Sequence, residues 1–202
     1  AFHGSDLLFM AGQDLLKFDL DTHLSQTLFI ANNAGLYGLD GDDVYVFSVD
    51  RHLHKSADGG STWVPIPCLF DSPGPWQGEI LQELFCAGDT IVISVAYNPT
   101  IVYTTDRALH WTWHERSIGP NPVHVSLDTV YSYSNIGEIS VSTDRGIGSE
   151  VQYSQAFPIG SLFFLPGTGH GWACGKNGSI LKTQNGGFTT GVAERKLIAD
   201  LI

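Results

Sequence analysis

The sequence predicts an all-β fold: a single five-bladed β-propeller with four antiparallel strands in each blade. Three observations lead to this prediction. The 202 residues include 23 glycines and 9 prolines, and 11% are aromatic, which is typical of strands joined by many turns. Only 15% are charged, fewer than the roughly 25% usual in soluble domains. One short motif also recurs with a mean spacing of about 41 residues, the length of a four-stranded propeller blade.

The clearest copy of the motif spans residues 56–63, Ser-Ala-Asp-Gly-Gly-Ser-Thr-Trp. A short carboxylate such as Asp58 can accept backbone N–H groups a few residues further on and close a turn. Gly60 permits a left-handed backbone, and Trp63 can pack between neighbouring blades. We therefore predict a turn between the third and fourth strands of each blade. The residues assigned to these turns are Asp21, Ser56, Asp58, Gly60, Thr62, Trp63, Thr104, Asp106, Trp111, Ser142, Asp144, Gly146, Thr183, Asn185 and Gly187.

Runs of strand-forming residues recur at similar distances before and after each copy of the motif. The runs before it predict third strands at 15–18, 52–55, 101–103, 139–141 and 180–182. Earlier runs predict second strands at 7–11, 44–49, 90–96, 129–134 and 171–175. Later runs predict fourth strands at 27–30, 64–67, 112–114, 151–153 and 190–193.

These strands divide residues 1–193 into five blades. The expected bounds are about 1–30, 31–68, 69–116, 117–155 and 156–193, with a short first strand at 1–3. The tail at 194–202 could be a helix, a strand or a disordered end, because its apolar residues fit more than one period.

The repeated motif resembles the Asp-box, or bacterial neuraminidase repeat, found in a superfamily of β-propellers. The last repeat, 169–187, is similar to a repeat of photosystem II assembly and stability factors. The resemblance is specific at 56–63 and 169–189 and covers the rest of the chain as a periodic pattern. It implies the propeller fold and says little about function, because one fold carries many functions.

The resemblance also makes a glycoside hydrolase the alternative function. Sialidases of that superfamily use six blades and three converging arginines, whereas the repeats here number five. The arginines of this chain lie in motifs, beside outer strands or in the tail; they are Arg51, Arg107, Arg116, Arg145 and Arg195.

A simpler glycosidase needs only two carboxylates about 5–10 Å apart. The acids outside the motifs are Glu79, Glu83, Glu138, Asp40 and Asp42, whereas a second group occupies equivalent turns and is expected to be structural: Asp6, Asp43, Asp89 and Asp128. We predict no catalytic residue and a non-enzymatic protein.

No metal or cofactor is predicted. Cys68, Cys86 and Cys174 are far apart, so we expect three buried thiols in a protein made in a reducing cytoplasm. His52 and His54 share one face of a strand, but the sequence offers no third ligand.

The net charge of −11 would repel a phosphate backbone, so no nucleic-acid partner is expected. No apolar run approaches the roughly 18 residues that span a bilayer, so no membrane insertion is expected. The predicted function is a binding or structural module that recognises a protein or a glycan. It could be a subunit of a larger assembly such as a viral tail or capsid accessory, in which case it would reside in the virion.

The predicted binding residues are Trp76 and Glu79. They lie in the longest gap between motifs, in an insertion at 69–79 that contains two prolines and two glycines. Loops on a rigid scaffold often carry binding residues. Trp76 could stack on a sugar, anchor a protein partner, or fill a hole beside a neighbouring blade.

Overall fold

The computed structural model describes residues 2–3, 6–11, 14–29, 34–48, 52–71, 80–96, 100–165 and 168–187. These residues form five antiparallel sheets that follow one another along the chain. The fold is all-β, a five-bladed propeller, as the sequence predicts. The chain divides into two compact units, residues 1–114 and 115–202.

The first unit contains three four-stranded blades whose strands lie side by side in chain order. Blade 1 comprises β1 (Phe2–His3), β2 (Asp6–Ala11), β3 (Asp14–Asp19) and β4 (Ser25–Phe29). Blade 2 comprises β5 (Ala34–Asp40), β6 (Asp43–Ser48), β7 (Leu53–Ser56) and β8 (Val64–Ile66). A 3-10 turn follows at Leu69–Asp71, and blade 3 comprises β9 (Leu81–Ala87), β10 (Thr90–Val95), β11 (Thr100–Thr104) and β12 (Thr112–Glu115).

The second unit contains blades 4 and 5. Blade 4 comprises β13 (Pro122–His124), β14 (Val130–Tyr133), β15 (Glu138–Ser142) and β16 (Glu150–Ser154). Blade 5 has three described strands, β17 (Ile159–Phe164), β18 (Gly171–Gly175) and β19 (Ile180–Thr183), with a 3-10 turn at Lys176–Gly178. The fourth strand predicted at 190–193 and the tail at 194–202 lie outside the described residues.

Strand β6 shows how the blades pack in the first unit. Its side chains alternate between two faces, and both faces are buried. Val44 and Val46 pack against the Leu8 cluster of blade 1, whereas Tyr45 and Phe47 pack in the cluster that includes residues of blade 3. Each such apolar side chain contributes about 1.5–3 kcal/mol on burial. A strand enclosed on both sides has little room for charge, which accounts for the low charged fraction.

The second unit has its own core. Tyr131 and Val141 of blade 4 pack with Ala173 and Leu181 of blade 5. The ring of Tyr131 stacks on Phe164 at a centroid distance of 4.1 Å, within the range of favourable aromatic pairs.

The cysteines differ from the prediction at one position. Cys68 and Cys86 are buried, and burial raises the pKa of the Cys86 thiol well above its usual value. Cys174 is exposed, so the expectation of three buried thiols is wrong. The reason is strand alternation: Ala173 faces the core shared with blade 4, so its neighbour Cys174 faces the other way.

Candidate functional site

The motif of blade 2 is closed by a dense set of hydrogen bonds. The Ser56 hydroxyl donates to Asp58 Oδ1 at 2.7 Å and accepts the Gly60 N–H at 2.7 Å. The Thr62 N–H donates to Asp58 Oδ1 at 2.8 Å, and its hydroxyl donates to Oδ2 at 2.7 Å. These donors, with the Thr62 N–H the largest contribution, lower the pKa of Asp58 to about 2. The ionised carboxylate of Asp58 therefore stabilises the turn, and it is poorly suited to proton transfer near neutral pH.

Blade 3 repeats this arrangement with a histidine. The Thr104 hydroxyl and the His110 N–H donate to Asp106 Oδ1 at 2.8 and 2.9 Å, and His110 Nδ1 lies 2.6 Å from Oδ2. The His110 N–H and ring, followed by Thr104, lower the pKa of Asp106 to about 2. His110 therefore takes the place of Thr62 in the turn.

Blades 4 and 5 carry shorter versions. Asp144 Oδ1 accepts the Ser142 hydroxyl at 2.7 Å and the Gly148 N–H at 2.8 Å; these donors, Ser142 first, lower the pKa of Asp144. In blade 5 the Thr183 hydroxyl donates to Asn185 Oδ1 at 3.0 Å. The side-chain amide of Asn185 provides an acceptor oxygen, as an aspartate would, but carries no charge.

Blade 1 departs from the prediction. The N–H groups of Asp21 and Thr22 donate to Asp19 Oδ1 at 2.8 and 2.9 Å, and the Thr22 N–H is the main reason that the pKa of Asp19 is lowered. Asp19, the last residue of β3, thus closes this turn, not the predicted Asp21. Asp19 stands at the position equivalent to Ser56, and its carboxylate accepts the N–H groups of the turn directly. Asp21 therefore contributes its backbone N–H to this turn.

The motif tryptophans connect successive blades. Trp63 Nε1 donates to the carbonyl of Leu28 on β4 at 3.0 Å. Trp111 Nε1 donates to the carbonyl of Pro67, just after β8, at 3.1 Å. Each indole therefore bonds to the outer part of the preceding blade.

The described arginines bond to turn carboxylates or to nearby backbone carbonyls. Arg107 and Arg145 each bond through Nε to a turn carboxylate of the same blade, Asp89 and Asp128. Arg116 is only 5% exposed, and its Nη1 donates to two backbone carbonyls, of Ile118 and Gly119. Arg51 and Arg195 lie outside the described residues.

The candidate carboxylates are distributed over separate strands and turns. Asp40 ends β5 and Asp42 lies in the turn before β6, and Asp40 Oδ2 accepts the Gly88 N–H of blade 3 at 2.6 Å. Glu83 lies on β9, and Glu138 begins β15. Asp40 therefore stabilises the contact between blades 2 and 3. Asp43, from the group expected to be structural, pairs with Lys55 at 2.5 Å.

The remaining residues singled out from the sequence are two histidines of blade 2 and two residues of the loop at 69–79. His52 precedes β7 and His54 lies on it. Within the described ranges, no three His, Cys, Asp or Glu side chains are grouped as metal ligands. Trp76 and Glu79 lie outside the described residues.

Two pairs of exposed apolar side chains, which we call the rim pairs, were not predicted from the sequence. In blade 3, Leu109 is 78% exposed and Trp113 44%. In blade 4, Ile147 and Val151 are 58% and 59% exposed. The two pairs occupy equivalent positions in their blades. In each pair the first residue lies in the turn and the second lies on the fourth strand. The signal that could have revealed them is their shared spacing, three and seven residues after Asp106 and Asp144.

A cleft of about 710 Å³ lies between blades 4 and 5. Its walls include Tyr131, Tyr153 and Phe164, and it runs along β19 and the last described turn, residues 181–187. Gln152 Oε1 is buried beside it and accepts no hydrogen bond within the described part of the chain. The cleft therefore combines aromatic walls with a buried acceptor.

No family model matches the sequence, and no curated protein matches it either. Known structures do match. YCF48 from Cyanidioschyzon merolae has a TM-score of 0.58 at 13% identity, over 98% of this chain and 73% of that one. The WD40 repeats of RRP9 have a TM-score of 0.63 at 11% identity, over 96% of this chain and 62% of that one.

An enzyme also shares the fold. The GH74 enzyme of Niastella koreensis matches with a TM-score of 0.56 at 16% identity, over 92% of this chain and 30% of its own. At these identities the likeness establishes the propeller fold alone. The described residues also contain no helix with the length and apolar character needed to cross a bilayer.

Proposed function

We propose that this chain is a non-enzymatic binding module that recognises a protein partner through its rim pairs. We also assign its repeats to the Asp-box superfamily. The hydrogen bonds of Asp58, Asp106 and Asp144 support that assignment.

The observation that carries the proposed function is the repeated exposure of Leu109 and Trp113 in blade 3, and of Ile147 and Val151 in blade 4. Large apolar side chains exposed at equivalent places in successive repeats form surfaces that a partner can cover. Tryptophan is also among the residues most often dominant in protein interfaces. Each rim pair suits an apolar segment of another protein, such as an extended peptide.

The structural comparisons support the class of partner. One matching structure is YCF48 bound to a D1 peptide, with a TM-score of 0.52 at 12% identity. The D1 peptide is a ligand of that protein. To this chain we extend only the general class of ligand, a polypeptide. A place in a larger assembly fits the same class of contact.

The chemistry of the motif acids supports a non-enzymatic role over glycoside hydrolysis. A glycosidase needs a proton donor with a raised pKa beside a second carboxylate. Asp58 and Asp106 instead have pKa values near 2 because they accept turn hydrogen bonds. Asp40 is engaged with the Gly88 N–H.

The loop at 69–79 supplies a second proposed contact through Trp76 and Glu79. Ile80, which follows this loop, is exposed. A glycan ligand stacked on Trp76 is the competing outcome.

The test begins with selection of a displayed library of random peptides on the immobilised full chain. For a selected peptide, Trp113→Ala should weaken binding by about tenfold or more, as loss of an interface tryptophan does. Ile136→Ser, which changes a similarly exposed side chain in a hairpin turn outside the rim pairs, should leave the affinity unchanged. Trp76→Ala tests the loop separately.

Three results would overturn the proposal. The first is equal affinity in the wild type and the Trp113→Ala variant. The second is selective binding on a glycan array that Trp76→Ala abolishes. The third is release of reducing sugar from a polysaccharide, lost when Glu83 or Glu138 is changed to Gln.

A further inference from the structure

Asparagine is followed directly by glycine at two places in blade 5, at Asn177–Gly178 and at Asn185–Gly186. Such a pair can cyclise, because glycine has no side chain to hinder the attack of its backbone nitrogen on the asparagine amide. The peptide between the two residues must rotate before the nitrogen can reach Cγ of the asparagine. The hydrogen bonds around each pair therefore decide which one reacts in the folded protein.

The pair at Asn185 is held by the turn that follows β19. The Gly186 N–H donates to the carbonyl of Gly169 at 2.7 Å, and the Gly186 carbonyl accepts the buried Tyr131 hydroxyl at 2.6 Å. The side chain of Asn185 accepts the Thr183 hydroxyl at 3.0 Å. Rotation of this peptide would break the bond to Gly169 and disturb the other two, which costs free energy. The fold should therefore protect Asn185.

The pair at Asn177 lies in an open turn. It belongs to the 3-10 turn that joins β18 to β19, and both of its residues are exposed. Within the described ranges the side chain of Asn177 has no hydrogen-bond partner. The bond across this turn, from the Ser179 N–H to the Lys176 carbonyl, is long at 3.3 Å. A Cβ at Gly178 would meet no described atom within 4 Å, so the attacking nitrogen is surrounded by free space.

We propose that Asn177 is a site of spontaneous deamidation in the folded chain, whereas Asn185 is protected from the same reaction. The backbone nitrogen of Gly178 attacks Cγ of Asn177, the Cγ–Nδ2 bond breaks, and ammonia leaves with the proton that the backbone nitrogen loses. Water then opens the resulting succinimide ring at one of its two carbonyls. The product at position 177 is aspartate or isoaspartate.

Deamidation changes the turn between β18 and β19. Either product adds one negative charge to a chain whose net charge is already −11, and isoaspartate also inserts a methylene group into the backbone. This turn joins the second and third strands of blade 5, whereas the rim pairs belong to blades 3 and 4. The proposed modification therefore stands apart from the proposed binding function.

Peptide mapping of the full chain tests the proposal. The folded protein is incubated in a mildly alkaline buffer, digested with trypsin and compared with a sample digested before the incubation. Lys182 separates the two asparagines, so each asparagine lies in its own tryptic peptide and mass spectrometry follows its conversion to an acid. We expect Asn177 to convert about tenfold faster than Asn185, because Asn185 must first give up a backbone hydrogen bond.

The same incubation in urea is the control for the fold. Both asparagines precede glycine, so in the unfolded chain we expect their rates to agree within about twofold. Equal rates in the folded protein would overturn the proposal, and so would faster conversion of Asn185 or no conversion of Asn177.

A variant tests the protection of Asn185 separately. Thr183→Val removes the hydroxyl that donates to Asn185, and it should raise the rate at Asn185 by about threefold while the rate at Asn177 stays the same. An unchanged rate at Asn185 in this variant, with circular dichroism showing that it is folded, would overturn the proposed protection.

Discussion

At the scale of single residues, the motif carboxylates act by accepting hydrogen bonds. Asp58 and Asp106 each bind a strand hydroxyl and a backbone N–H, and in both copies the residue four positions along also donates its side chain. The negative charge of these two carboxylates therefore stabilises the turn, because each hydrogen-bond donor favours the ionised form.

The motif carboxylates predict a pH dependence of stability. The pKa of Asp58 is about 2 in the folded chain and about 3.9 in an unfolded one. The unfolded state therefore binds protons first, so the stabilisation present above about pH 4 should be lost as the pH falls towards about 2. Asp58→Asn should flatten the plot of Tm against pH in this range. Asp21→Asn is the control, because the side chain of Asp19 closes that turn, and an equal change in both variants would contradict the assignment.

At the scale of elements, the turn and the neighbouring blade are built together. Gly60 has φ +96°, and a Cβ there would lie 2.7 Å from Leu28 Cδ1 of the preceding blade. A side chain at this position would therefore meet both a strained backbone and a filled space.

We expect Gly60→Ala to lower the free energy of unfolding by about 1–3 kcal/mol more than Gly41→Ala, because of the added contact with Leu28. Gly41 also has a positive φ, +57°, but a Cβ there would have no neighbour within 4 Å among the described residues. The pair therefore separates backbone strain from blade packing. Chemical denaturation measures both variants, and equal losses would show that the contact with Leu28 has no energetic importance.

The elements also show how far sequence reasoning reaches. The period of the motif and the apolar runs predict the sheets, since β6 and β10 are nearly continuous runs of strand-forming residues that are buried on both faces. The turn of blade 1 escaped prediction because a carboxylate at Asp19 substitutes for a hydroxyl. The exposure of Cys174 depends on which face of β18 meets blade 4, and a run as apolar as Gly171–Gly175 does not reveal that.

At the scale of the whole molecule, the charged groups named above stabilise turns and blade contacts, and the rim pairs are the proposed binding surface. Arg107 and Arg145 pair with turn aspartates, and Asp40 bonds across two blades. The rim pairs could not be found from composition, because an apolar residue on a fourth strand faces solvent or core according to the pleat alone. Trp76 was proposed as a binding residue from the composition of its loop, and composition does not say where a side chain lies.

Amide hydrogen exchange on the full chain, with and without a selected peptide, tests the proposed binding role most directly. We predict that the peptide slows exchange in the segments that carry the rim pairs, residues 106–115 and 144–154, while β6 and β10 at the core remain as slow as before. Slowed exchange elsewhere, with no change in either rim segment, would contradict the proposed function.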